Sequence, residues 1–163
     1  MTTPRIIESL SELSTLVERW RSDGCRIVTT NGCFDLVHPG HIATLTFAKK
    51  QGDVLIVGVD TDSHVAQLKG PDRPFTPLAN RMLVLSALRP VDVVVPIENV
   101  MEFLTYVRPD VHVKGGDYEA EALPESELVR RLGGSIQLAP HIVGMSTSNI
   151  ERRVRGARPS TCP

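Results

Sequence analysis

One apolar run, Val54-Leu-Ile-Val-Gly-Val59, limits the folds open to this chain more than any other stretch. It never alternates with polar residues, so a strand made of it must be covered on both faces, as strands in helix-flanked parallel sheets are. Before it stand a β-branched run, Arg26-Ile-Val-Thr-Thr30, and a stretch in which Ile42, Leu45 and Ala48 recur at helical spacing. Strand, helix, strand at this distance is a βαβ unit. The spacing predicts an α/β chain with a single Rossmann-like, doubly wound parallel sheet of about five strands flanked by helices. Ligands of such sheets bind at the carboxyl ends of the strands.

The remaining elements follow the same alternation. Residues 77–88 read as a helix with Met82, Leu83, Leu85 and Leu88 as core candidates, 91–95 as the third strand and 99–107 as a helix closed by Pro109. Residues 110–114 are the fourth strand, 124–132 a helix and 135–138 the fifth strand. Upstream, Ile7, Leu10, Leu13, Leu16, Val17 and Trp20 mark a helix over 6–21, capped by Ser9 or Ser11 and packed outside the core. The polar segment holding Lys69, Gly70, Pro71, Asp72, Arg73 and Pro74 reads as a mobile loop over the strand ends. The chain divides into an N-terminal helical segment, 1–24, a core domain, 25–156, and a disordered tail, 157–163, with Pro159 and Pro163.

A length of 163 residues suits one domain with a sizeable core, and an aromatic content of only 4% leaves aliphatic side chains to fill it. The net charge of −1, with no basic run beyond Arg152-Arg153 and no aromatic residues among basic ones, argues against a nucleic-acid partner. Apolar stretches are too short for a membrane span and the N-terminus lacks a signal-peptide core, so a cytoplasmic location is expected. Cys25, Cys33 and Cys162 are odd in number and show no paired spacing, which fits free thiols in a reducing compartment.

The chemistry gathers in Asn31-Gly-Cys-Phe-Asp-Leu-Val-His-Pro-Gly-His41, the turn between the first strand and the first core helix. Pro39 suits a helix's first turn, and Gly40 leaves the backbone bare for a ligand. Unpaired N–H groups and the positive dipole end there form an anion site suited to phosphate. His38 and His41, three apart, can lean the same way and donate hydrogen bonds to oxygens that gain charge in a transition state. Two other readings stand beside this one: a zinc pair, although no Cys, Asp or Glu sits nearby at ligand spacing, and structural caps of the turn. Cys33 reads as a small buried residue rather than a nucleophile, since nothing in the sequence supplies its base. Lys69 is either an anion contact or a solvated lysine.

Two further strand ends carry polar motifs. Lys114-Gly-Gly-Asp-Tyr118 offers Lys114 and Asp117 beside glycines that let a ligand approach, and Ser146, Thr147 and Ser148 open a last helix. His112 alternates within its strand and reads as core. Arg81 lies off the apolar face of its helix and is expected to point into the site.

Together, Gly32-Cys-Phe-Asp-Leu-Val-His-Pro-Gly-His41, Lys114-Gly-Gly-Asp-Tyr118 and Met145-Ser-Thr-Ser-Asn-Ile150 resemble the cytidylyltransferase-like nucleotidyltransferase superfamily over residues 25–155. Thr30-Asn-Gly, Leu68-Lys-Gly70, Arg73-Pro74, Arg81-Met82 and Val113-Lys-Gly-Gly-Asp-Tyr118 are most similar to its heptose 1-phosphate adenylyltransferase branch. The resemblance implies transfer of AMP from ATP, with magnesium carried on the nucleotide phosphates, to D-glycero-β-D-manno-heptose 1-phosphate, giving ADP-heptose and pyrophosphate. At 163 residues the activity is expected without the kinase domain fused to it in some relatives, and the resemblance implies a homodimer. It makes His38, His41 and Lys69 the catalytic set, and places Ser146, Thr147 and Ser148 near the triphosphate and Asp117 near the nucleoside. Asn31, Gly32, Cys33, Phe34, Gly40, Lys114 and Gly115 complete the expected nucleotide site, and Asp35 and Arg81 are expected on the sugar phosphate. Arg89 stands where the glycerol-phosphate cytidylyltransferase branch carries Arg, so a cytidylyl- or guanylyltransferase acting on another phosphate is the alternative.

Overall fold

The Val54–Val59 run lies in a central strand of the sheet, Val54–Asp60, which is buried at every one of its seven positions. The structure, a computed structural model, describes residues 5–115, 120–140 and 147–156. In chain order these form β1 (Arg5–Ile6), α1 (Leu10–Ser22), β2 (Ile27–Gly32), α2 (Pro39–Lys49), β3 (Val54–Asp60), α3 (Asp62–Lys69) and α4 (Leu78–Ser86). There follow β4 (Val93–Ile97), α5 (Val100–Val107), β5 (Val111–Gly115), α6 (Ser126–Arg131), β6 (Ser135–Ala139) and α7 (Thr147–Gly156).

All strand pairs are parallel, in the order β1-β4-β3-β2-β5-β6. Because successive side chains of a strand face opposite ways, β3 divides its residues between two cores. Leu55, Val57 and Val59 join Leu45, Met82 and Leu85 from α2 and α4 on one face. Val54 and Ile56 join Leu13, Val17, Phe103, Leu104 and Val129 from α1, α5 and α6 on the other. Helices on both faces make the sheet doubly wound, as expected. From β2 the chain runs outward through β3 to β4, then returns to lay β5 on the other side of β2. The seam between β2 and β5 is therefore the topological switch point, where the strand ends splay and open a crevice.

Three local expectations are corrected. The N-terminal helix does not start at Ile6: Arg5 and Ile6 pair with Val93 and Val94 as a sixth, edge strand, and Ile7 N donates to Val94 O at 2.9 Å. Helix α1 begins only at Leu10, where Ser9 accepts from Glu12 N at 3.2 Å. β-Branched residues beside an open sheet edge gain more from pairing than from another helical turn. Residues 62–69, for which no helix is expected from the sequence and whose Lys69 is expected in a loop, form α3, capped by Thr61 and held by one buried apolar residue, Val65. Leu83 is not core: α4 turns Arg81, Met82 and Leu85 inward and leaves Leu83 61% exposed. The tail 157–163 lies outside the described residues.

Candidate active site

The turn from β2 into α2 is built by its own side chains. Phe34 adopts a left-handed backbone, φ 49°, a conformation that costs a non-glycine residue about 1–2 kcal/mol, and its buried ring lies 5.0 Å from that of His41. Pro39 opens α2 and His38 is its N-cap. His38 Nδ1 accepts from Gly40 N at 3.1 Å, and His38 N donates in turn to His41 Nδ1 at 3.4 Å. The two rings stack with centroids 3.8 Å apart and 26° between planes. Since each Nδ1 accepts, each neutral ring carries its proton on Nε2. Burial, followed by the charge of Lys69, lowers the pKa of His38. Burial, then His38 and Lys69, pushes that of His41 down to about 4. At neutral pH the pair is two uncharged rings at a helix N-terminus, and the capping reading holds for both.

Lys69 closes α3 and is exposed, with its charge felt at His38, His41 and Cys33. On the other side of the turn, at the switch point, Lys114 Nζ donates to Asn31 Oδ1 at 2.9 Å. It also pairs with Glu125 Oε1 at 2.8 Å. Strand ends 83 residues apart in sequence thus meet in one crevice. Gly115 has a packing reason: a Cβ there would stand 2.5 Å from Thr44 Oγ1 on α2, so glycine lets α2 close on β5. Thr147 starts α7 and is buried. Asp117 and Ser146 lie outside the described residues, and Ser148 is placed only as backbone in the first turn of α7.

Two expected contacts of the sugar phosphate are internal ties instead. The Arg81 side chain is fully buried, with Nε donating to Thr76 O at 2.9 Å and Nη2 to Asp60 O at 2.7 Å and Asp62 Oδ1 at 2.8 Å. Its Nη1 donates to the Cys33 carbonyl. The Asp35 carboxylate is equally enclosed, accepting from Phe75 N at 2.7 Å, Thr76 N at 3.1 Å and Arg73 Nε at 2.6 Å. With these groups occupied, both residues shape the site without facing a ligand. Cys33 Sγ donates to Asp60 Oδ2 at 3.3 Å. Burial, reinforced by Asp60, pushes its thiol up to about 11, so it stays protonated and unreactive.

Arg73 was not among the expected site residues. It bonds Asp35 through Nε and Glu151 of α7 through Nη1 at 2.8 Å, tying the signature turn to the last helix. An Arg-Pro pair in a polar loop signals a turn; nothing local tells that its charge is buried between carboxylates. A shallow apolar hollow of Val37, His38, Pro39, Ile42 and Ala43 adjoins the histidines. The larger hollow between α1 and α5, walled by Arg21, Tyr106 and Arg108, shares no residue with them.

These histidines make stability pH-dependent. His112 is fully buried, its Nδ1 2.8 Å from Thr29 Oγ1, and burial followed by the charge of Lys114 pushes it down to about 3. The folded state therefore binds fewer protons than the unfolded one below the ordinary value of 6.5. Stability is complete above that value and is lost as pH falls toward 4, at about 1.4 kcal/mol per pH unit for each such histidine. Urea midpoints should hold from pH 8 to 7 and drop steadily from 6.5 to 4, and His112→Gln should flatten that drop. Midpoints that stay level through the acid window would contradict the burial of these rings as neutral groups.

A family profile described as cytidylyltransferase-like matches residues 29–153, from β2 into α7. The chain is 41% identical over 157 residues to the bifunctional protein HldE of Gluconacetobacter diazotrophicus, covering 95% of this chain and 32% of that protein. It is 46% identical over 145 residues to the bifunctional protein HldE of Halorhodospira halophila, covering 88% of this chain and 30% of that protein. The chain thus spans about a third of the length of these curated relatives. Among solved structures, a lipopolysaccharide core biosynthesis protein from Thermoplasma volcanium superimposes with a TM-score of 0.59 at 29% identity, covering 76% of this chain and all of that one. Pantoate-beta-alanine ligase from Francisella tularensis gives a TM-score of 0.60 over 84% of this chain and 67% of that one, and at 16% identity shares the fold alone. A doubly wound sheet whose switch point carries the paired imidazoles, and a profile match that spans them, place this chain in the cytidylyltransferase-like family.

Proposed function

We propose that this chain is a nucleotidyltransferase that moves AMP from ATP to D-glycero-β-D-manno-heptose 1-phosphate, giving ADP-heptose and pyrophosphate. The observation that carries the reading is the stacked, neutral His38–His41 pair at the N-terminus of α2, beside the β2–β5 seam, with the charge of Lys69 felt at both rings. Such a site suits a triphosphate: the positive end of a helix dipole, a lysine and two imidazole donors are brought together without a general base. The relatives named HldE and the lipopolysaccharide core biosynthesis protein support the choice of acceptor.

The chemistry closes on these groups. The second pKa of a sugar phosphate is about 6, so its oxygen is already ionised at neutral pH and attacks without losing a proton. A bond forms from that oxygen to the α-phosphorus, the bond to the oxygen bridging to the β-phosphorus breaks, and pyrophosphate leaves with the electron pair. Catalysis consists of holding two anions in line and stabilising charge that builds on the phosphoryl oxygens. Among the described residues no group of three or more His, Cys, Asp or Glu gathers as a metal site. Magnesium enters this reading as part of the MgATP substrate. No helix among the described residues is long and apolar enough to cross a membrane. A homodimer in the cytoplasm, with no nucleic-acid partner, completes the proposal.

The test is a panel of ATP, CTP, GTP and UTP against heptose 1-phosphate, glycerol 3-phosphate and ethanolamine phosphate, following pyrophosphate release with magnesium present. ATP with the heptose phosphate should exceed every other pair by about tenfold or more, a margin of about 1.4 kcal/mol in transition-state binding. Preference for CTP with a glycerol or ethanolamine phosphate would reassign both substrates within the family.

A further inference from the structure

The hydrogen bond from Lys114 to Asn31 spans the seam between β5 and β2, so these two side chains form the floor of the crevice. An ammonium has three donors. Lys114 directs one to Asn31 and stands 2.8 Å from Glu125 Oε1 as its ion-pair partner, which leaves donors for a ligand. With Asn31 Oδ1 accepting from Lys114, the amide presents its Nδ2 donors elsewhere. Glu125, whose side chain is 4% exposed, approaches from the start of α6, and nothing in the proposed reaction uses it.

The charges on this floor cancel. Among the described residues, the other side chain within ion-pair distance of Glu125 is His112, 3.9 Å away and neutral. Lys114 alone answers the carboxylate, one charge against one. The crevice therefore has two unlike ends. Near α2, the helix dipole and the exposed Lys69 supply positive potential that suits phosphate. At the seam, donors are present without net charge, which suits the oxygens and ring nitrogens of an uncharged group.

We infer that Glu125 is a positioning residue that sets ligand specificity: by neutralising and aiming Lys114 it reserves the β2–β5 seam for the uncharged base or ribose of a nucleotide and keeps phosphate at the α2 end. This rests on the reading that the crevice holds a nucleotide, and it adds a residue that contacts no ligand itself. Without the carboxylate, Lys114 becomes an unpaired cation in a partly desolvated crevice, which favours an anion wherever one can reach it.

Calorimetric titration of the whole chain with two probes, adenosine and inorganic tripolyphosphate, tests it. In Glu125→Gln, tripolyphosphate should bind about tenfold tighter and adenosine more weakly, reversing the bias of the seam. The Lys114→Met/Glu125→Gln double variant should lose the tripolyphosphate gain, because the gain comes from Lys114. Should Glu125→Gln fold poorly, Glu125→Asp keeps the charge but withdraws it by one methylene, and should weaken adenosine while leaving tripolyphosphate near wild type. An unchanged ratio of the two affinities in Glu125→Gln, a gain that survives loss of Lys114, or a wild-type chain that takes no adenosine would each overturn the assignment. The readout is binding, so a failed nucleotide and acceptor panel sinks the proposed reaction without moving this result, and the reverse also holds.

Discussion

His41→Ala is expected to slow turnover by about 100-fold or more while ATP binding survives in part, the pattern of a donor that acts mainly in the transition state. The expectation follows from which nitrogen is free. Nδ1 is engaged by the His38 backbone N–H, which leaves Nε2–H as the ring's donor, and burial keeps the ring neutral down to about pH 4. Alanine removes that donor, and with it the partner on which His38 stacks. Measured kcat should collapse and the nucleotide Kd rise far less. The neutral ring adds a second signature in the wild type: kcat should not fall as pH climbs through the ordinary histidine range, whereas a charged imidazolium would be lost there. Turnover in His41→Ala within a few-fold of wild type would remove the residue from the chemistry.

Most of the fold was legible because its signals are local and repeated. Four largely buried strands and a half-exposed fifth, separated by helices of ordinary length, leave few arrangements once the crossovers are right-handed. The Val54–Val59 run and the Pro39-Gly40 helix start therefore fixed the crevice before any contact was known. What stayed hidden was which polar residues spend their groups on the protein itself. Arg81 and Asp35 sit within the right motifs, yet their partners are the Cys33, Asp60 and Thr76 carbonyls and the Phe75 and Thr76 amides, contributed by loops up to 48 residues away. Arg73 and Glu125 were missed for the mirror reason. Arg73 lies in a polar segment read as loop and Glu125 at the start of a stretch read as helix, and only tertiary packing brings them onto Asp35 and Lys114. Ile6 and Ile7 fit a helical period and a strand equally well, and the exposed edge of β4 decided between them.

Arg81 supplies the largest expected loss of stability. Its guanidinium lies at the junction of three segments, bonded to carbonyls at the end of β3, in the signature turn and before α4, with no exposed side-chain surface. Asp62 provides its carboxylate partner, itself half exposed. Truncation to alanine leaves three inward-facing carbonyls without a donor and a cavity the size of a guanidinium, a combination that costs about 3–5 kcal/mol. Arg81→Lys should recover little, because one ammonium cannot reach three divergent carbonyls in the plane that the guanidinium fork spans. A direct contact with the sugar phosphate predicts a different outcome: a raised acceptor KM in a chain that unfolds at the wild-type urea concentration. The two are separated by measuring the urea midpoint beside acceptor KM at a temperature where Arg81→Ala is still folded. A lowered midpoint with acceptor KM within a few-fold of wild type is the expected result, and a wild-type midpoint with KM raised about 100-fold would return Arg81 to the substrate.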